Sequence, residues 1–267
     1  MRVLGFLAAM ATASLIAAPL RAEDRAYCPA RPGLGTPPCT IAPGRLSVET
    51  AIADWTLDQD AGQRTDKIVF ADTQLRLGLT SSIEAQLAWT PYGRSRMRDK
   101  STGLVTRQGG VGDVTLGVKA NLLHPDGSGF SIAVNPFVSV PAGGATLGAG
   151  DWSTGVLLPM SYDLGHALSL QVTPELDAAV NGSRAGRHLA YSGVVGLGLA
   201  VSDAVSGTFE VQGMRDDDPA GATTKAFASL SMAWMPRADL QLDVGAVAGL
   251  NSSSSQAELY LGISRRF

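Results

Sequence analysis

Apolar and polar residues alternate one for one along most of this chain, in runs of about ten residues separated by turn-forming stretches. A period of two marks a strand with one greasy face and one wet face. The clearest run sets Val69, Ala71, Thr73, Leu75, Leu77 and Leu79 against Asp72, Gln74, Arg76 and Gly78. Ile83, Ala85, Leu87 and Trp89 then oppose Glu84, Gln86 and Thr90, and Val114, Leu116, Val118, Ala120 and Leu122 oppose Asp113, Thr115, Lys119 and Asn121. The pattern continues through residues 130–140, 152–162, 168–178, 189–201, 209–211, 226–234 and 240–248. It closes on Leu259, Leu261, Ile263 and the terminal Phe267, against Glu258, Tyr260, Gly262, Ser264 and Arg266. With a first strand around residues 45–57, the count is about twelve, an even number that puts both termini on one side.

The connections sort by length. Short turns at 80–82, 124–129, 163–167, 202–204 and 236–239 interleave with longer polar stretches at 58–66, 93–110, 141–150, 181–187, 215–223 and 251–257. Short periplasmic turns and long outer loops belong to outer-membrane barrels. A run of about ten residues, tilted about 40°, covers roughly 25 Å, the height of the apolar band. A secreted β-sandwich would bury the same Leu and Val faces, but it has no reason to sort its loops or to carry carboxylates and guanidiniums in mid-strand. The chain therefore predicts an all-β fold over residues 45–267: a transmembrane, antiparallel, up-and-down β-barrel of about twelve strands in the bacterial outer membrane.

The ends agree with export. Arg2, the apolar stretch Val3 to Leu20 and a small-residue site around Ala22 read as a secretory signal over residues 1–22. Past Ala22 no run approaches the roughly 18 apolar residues of a spanning helix. At the other end Tyr260, Gly262 and Phe267 resemble the C-terminal targeting signal of outer-membrane barrels, with Arg265 where an aromatic is usual. Residues 23–44 read as a periplasmic N-terminal segment. Its Cys28 and Cys39 are predicted to form a disulfide in an oxidising compartment, since no histidine lies nearby to complete a metal site.

Composition and charge narrow the function. Glycine is abundant at 31, charged residues make up only 17%, and a net charge of −3 argues against a nucleic-acid partner. Twelve tilted strands enclose a backbone radius of about 12 Å, much of it taken by side chains, which leaves a narrow wet passage for small solutes. The candidate lumen-lining residues are Arg76, Glu84, Asp113, Lys119, Glu175, Asp177, Glu210, Lys225 and Asp243. They either set up a field that orients polar solutes or hydrogen-bond across the lumen and fill it. The basic stretch Arg94, Arg96, Arg98, Lys100 and Arg107 either meets lipopolysaccharide phosphates or is a solvated loop.

Catalysis finds little support. The three histidines are His124, His166 and His188, and Ser192 lies four residues along the strand from His188, too far for a hydrogen bond. No G-x-S-x-G elbow, metal cluster or cofactor motif is present, so neither an enzyme nor a cofactor is expected.

Several segments resemble one family. CPARPGLGTPPC (28–39), ADWTLD (53–58), QLAWTPYGR (86–94), GVGDVTLGVKANL (110–122), DGSGF (126–130), PFVSVPAGG (136–144) and AELYLGISRRF (257–267) are similar to proteobacterial outer-membrane proteins often labelled transporter and associated with the meta-cleavage pathway of phenol degradation. The resemblance implies a monomeric barrel, with aromatic or other small hydrophobic compounds as candidate cargo. The expected function is a passive small-solute channel. A closed structural or surface-interaction barrel is the first alternative, and an outer-membrane lipid-modifying enzyme the second. The expected partners are outer-membrane lipid and lipopolysaccharide, the barrel-assembly machinery and a small solute.

Overall fold

The computed structural model describes residues 25–143 and 147–267, so the expected signal at 1–22 lies outside the described residues. No helix occurs among them. Fifteen strand segments follow one another: β1 (Leu46–Gln59), β2 (Gln63–Gly78), β3 (Ile83–Trp89), β4 (Tyr92–Asp99), β5 (Val105–Gly110), β6 (Val114–Leu123), β7 (Phe130–Val140), β8 (Ser153–Leu157), β9 (Met160–Gly165), β10 (Leu168–Val180), β11 (Arg187–Ala200), β12 (Val205–Asp216), β13 (Thr223–Arg237), β14 (Leu240–Gly249) and β15 (Ala257–Arg266).

These segments build twelve walls. β2 pairs with β4 over its first half and with β3 over its second, so β3 and β4 are one long strand interrupted at Thr90-Pro91. In the same way β5 and β6 are two parts of a single strand, and β8 and β9 flank Pro159 in another. Proline has no N–H to give the ladder, which is why the pairing breaks at Pro91 and Pro159. The β5–β6 break at residues 111–113 lies beside the first of these, where the Gly112 amide donates to Thr90 O at 2.8 Å. β1 pairs with both β2 and β15, and every pairing is antiparallel, so the sheet closes on itself. The molecule is a twelve-stranded, closed, up-and-down barrel of the bacterial outer membrane, with no free edge in the wall.

The solvent logic of a soluble protein is inverted. Leu116, Leu176, Val195, Phe209, Leu230, Val244 and Leu259 are exposed on the outside, whereas Arg76, Glu49, Glu84, Lys119 and Glu210 are fully buried inside. Outward aromatics gather at the two ends. Tyr92, Trp152 and Tyr191 lie toward the long loops, and Tyr162, Trp234 and Phe267 lie near the short turns.

One face assignment needs correction. The alternation places Val69 outward, but Phe70 is the exposed residue there, at 42%, stacked on Tyr92 with ring centroids 6.2 Å apart. Ala71 adopts a left-handed φ of 54°, and the ladder facing it skips Ile52 between Ala51 and Ala53. An irregularity of this kind flips the faces of everything beyond it. Ser47, Glu49 and Ala51 thus point inward in the lower part of β1, whereas Asp54 and Thr56 do so in the upper part, opposite Tyr260 and Glu258.

Candidate functional site

The lumen is occupied by the protein's own N-terminal segment. Sequence alone puts residues 23–44 in the periplasm; in the structure residues 25–44 turn back from β1 into the barrel at the short-turn end. The reason is hydrogen bonding. The inner wall buries carboxylates that need donors and cations that need acceptors, and an irregular Pro/Gly-rich backbone offers both.

Three glutamates take backbone amides of the segment. Glu49 accepts from Ala30 at 2.7 Å and Arg31 at 3.1 Å, Glu210 from Leu34 at 2.7 Å and Gly35 at 2.8 Å, and Glu84 from Ile41 at 2.7 Å. The wall's cations and amides take its carbonyls. Arg76 donates to Cys28 O at 2.8 Å and Cys39 O at 3.1 Å, Lys119 to Pro37 O at 2.8 Å, Asn121 to Pro38 O at 3.0 Å and Gln241 to Arg31 O at 2.7 Å. Pro32, Pro37 and Pro38 bring carbonyls without N–H groups, so this stretch asks its surroundings for donors. Cys28 and Cys39 form the expected disulfide and tie the loop at its neck.

Charge pairs lock the arrangement. Arg76 lies 2.9 Å from Glu49 and 2.8 Å from Glu84, all three with fully buried side chains, and Lys119 is 3.5 Å from Glu84. Arg31 on the segment reaches Asp243 on β14 at 2.9 Å and lies 5.3 Å over the Tyr260 ring. Gly262 leaves room here for the Arg31 guanidinium, which a Cβ at that position would push aside. Gly33, at φ 121°, turns the tip of the loop where a Cβ would press on the Glu210 carboxylate. The tip reaches about mid-height: Thr36 and the Thr173 hydroxyl exchange hydrogen bonds at 3.1 Å, and Thr173 is near the middle of β10.

Beyond the tip the lumen opens into an outer vestibule. Glu175, Asp177, Ser192, Met214, Asp216, Thr223 and Lys225 border a cavity of about 160 Å³. Ser192 donates to Glu175 at 3.3 Å, while Asp177 Oδ1 is buried without a hydrogen-bond partner. Across the barrel, Asp54, Lys67 and Glu258 face the same space, on the inward rows of β1, β2 and β15. Asp113 sits near the outer end of the wall and accepts the Ala149 amide at 2.7 Å, pinning part of the 141–150 loop.

The candidate lumen residues therefore fall into three groups. Arg76, Glu84, Lys119, Glu210 and Asp243 grip the inner segment. Glu175, Asp177 and Lys225 stand in the vestibule, and Asp113 holds a loop. Sequence reasoning missed the segment itself, together with Glu49, Asn121, Thr173 and Gln241 as its holders. The paired cysteines around a proline-rich loop were the one available signal.

His188 has acidic neighbours that its sequence position does not reveal. Its Nε2 lies 2.8 Å from Asp216 Oδ1, its Nδ1 is 3.0 Å from Asn181 Oδ1, and Asp218 is within 3.9 Å. The Asp218 carboxylate also accepts the Ala220 and Gly182 amides, which hold it below the usual carboxylate range. Among the described residues the polar contacts of His188 are Asn181, Asp216 and Asp218, with no hydroxyl or thiol, and the trio ties the 181–186 loop to the 217–222 loop.

Solved barrels share this architecture. The KdgM porin in complex with disordered oligogalacturonate superposes with a TM-score of 0.50 at 8% identity, over 84% of this chain and 99% of that one. The transport unit of the autotransporter AIDA-I from Escherichia coli gives 0.51 at 10% identity, over 84% of this chain and 90% of that one. Among curated proteins none matches the sequence. Residues 30–267 match the family described as "Putative MetA-pathway of phenol degradation", and the chain belongs to that family.

Proposed function

We infer that this barrel is a gated outer-membrane channel for small solutes, in which the disulfide-tied segment 25–44 is the gate. One observation carries the reading. The segment fills the short-turn half of the lumen through polar contacts, while the outer half keeps a cavity of about 160 Å³ facing the exterior. A solute can dock in the vestibule, but it passes only when the segment shifts.

The vestibule wall mixes chemistry. Glu175, Ser192 and Lys225 offer hydrogen bonds, while Met214 shares their face and Val194 and Phe227 follow on the next inward row. Such a wall suits small amphipathic compounds, and hydroxylated aromatics fit both halves of it. The family's description agrees with that class of cargo. The reading is non-enzymatic: His188 meets carboxylates that also accept loop amides, with no nucleophile beside it among the described residues.

The test is single-channel recording on the mature chain and on a chain lacking residues 25–44. The intact barrel should show small or rare openings, and the shortened one a steady conductance several times larger. Silence from both, with heat-shifted gel migration proving that each is folded, would favour a closed structural barrel.

A further inference from the structure

The basic stretch singled out in the sequence forms a ladder on the outside of the barrel. β4 and β5 make a hairpin that extends the wall beyond the bilayer, and register fixes which side chains share a face. Arg98 is opposite Arg64, Arg96 is opposite both Asp66 and Arg107, and Arg94 is opposite Ile68 and Gly109. The next row of the same face is Phe70 with Tyr92, the exposed stacked pair of the outer aromatic rim. The opposite face is set by Gly93, which is buried and whose Cβ would meet Leu147 and Val69. The arginines therefore stand on the lipid-facing side, away from the lumen.

Five guanidiniums, Arg64, Arg94, Arg96, Arg98 and Arg107, share this patch with one acid. Asp66 lies 2.9 Å from Arg64 and 3.8 Å from Arg96. Arg94, Arg98 and Arg107 are exposed, and no salt bridge to them occurs among the described residues. Each row of a strand tilted about 40° rises roughly 5 Å, so the ladder begins about 5 Å outside the aromatic rim and runs on for roughly 10 Å more. That is the depth at which lipid headgroups begin.

We propose that this face binds the phosphorylated glycolipid of the outer leaflet, with Arg94, Arg98 and Arg107 clasping the headgroup phosphates while Phe70, Tyr92 and Ile68 pack on its acyl chains. A guanidinium suits this task because its planar fork grips a phosphate with two parallel hydrogen bonds and stays charged at any physiological pH. Spacing along the ladder lets one headgroup carrying two phosphates touch two rows. The ladder covers one side of the barrel, so the bound glycolipid sits at a defined place on the perimeter, next to β2 and β4.

The experiment titrates the folded, detergent-solubilised barrel with bis-phosphorylated lipid A and with the same lipid stripped of phosphate. The variant carries Arg94→Gln, Arg98→Gln and Arg107→Gln together. A basic side chain near an anionic lipid surface is worth roughly fivefold in affinity, so the triple variant should bind lipid A at least tenfold more weakly. The parent protein should show the same loss toward the stripped lipid. Phosphate carried through purification should fall in parallel, while single-channel conductance stays unchanged because these side chains do not face the lumen. Equal binding by variant and parent, or indifference to removal of the lipid phosphates, would overturn the proposal. So would full displacement of lipid A by millimolar inorganic phosphate, which would reduce the patch to a general anion site. The double variant Arg98→Gln/Arg107→Gln, at the exposed end of the hairpin, gives the same reading should the triple variant fold poorly.

Discussion

At the scale of single residues, Arg76 shows how much a period-two reading delivers and where it stops. Alternation alone puts it on the wet face. It does not tell that its guanidinium is fully buried between Glu49 and Glu84 and also holds the carbonyls of Cys28 and Cys39. Those last partners are backbone atoms of a remote segment, and backbone groups leave no pattern in a sequence. Arg76→Leu would strand two buried carboxylates, and breaking such a pair costs about 3–5 kcal/mol. The expected outcome is a lower urea midpoint in phospholipid vesicles together with a larger conductance. A variant as stable as the parent would show that the segment does not depend on this cluster. Gly262 makes the same point from another side: a glycine suited to a terminal motif also leaves room for the Arg31 guanidinium.

At the scale of elements, the strands and their faces were largely legible, because lipid on one side and water on the other impose the strictest alternation a chain can carry. β12 gives a direct check. Val211 is exposed at mid-strand, and its neighbour Glu210 is buried against Leu34, Gly35 and Ser229. Val211→Arg places a charge at mid-depth in lipid and should cost about 2–4 kcal/mol, whereas Glu210→Gln keeps the barrel stable and loosens the loop tip, raising conductance. Equal destabilisation by the two, measured by reversible unfolding, would contradict the face assignment. The reading failed locally at Phe70, where the irregularity at Ile52 and Ala71 turns the wall over. Neither residue type announces a change of face. The breaks at Pro91 and Pro159 were visible as prolines, but not as interruptions of otherwise continuous strands.

At the scale of the whole molecule, closure and strand number followed from the pattern, while the state of the lumen did not. A wall of inward charges suits an open channel and a filled one alike. The structure separates these charges into those spent on the inner segment and those left in the vestibule. Glu49, Glu84, Glu210 and Asp243 are spent; Asp54, Glu175, Asp177 and Glu258 remain, against Lys67 and Lys225. The arginines of the β4–β5 hairpin face lipid and do not offset them. The channel should therefore prefer cations and neutral solutes. Glu175→Gln combined with Asp177→Asn should move the reversal potential in a salt gradient toward zero. Anion selectivity in the parent would place the selecting charges elsewhere.

The seam of the barrel carries a consequence for how the chain assembles. Leu46 and Phe267 exchange backbone hydrogen bonds of 3.3 and 2.8 Å, so closing the wall means bringing together two ends of the chain. The entropy of closing a loop of some two hundred residues amounts to roughly 5 kcal/mol. The inner segment touches both partners of that seam: the Tyr27 hydroxyl is 2.7 Å from Ser47 on β1, while Arg266 on β15 bonds the Arg25 carbonyl and lies over the Tyr27 ring. A segment that grips the last strand while continuous with the first acts as a template for their meeting. The piece that obstructs the finished pore is thus also a clasp that draws its two margins together, and a barrel made without it should be slower to close as well as wider when open.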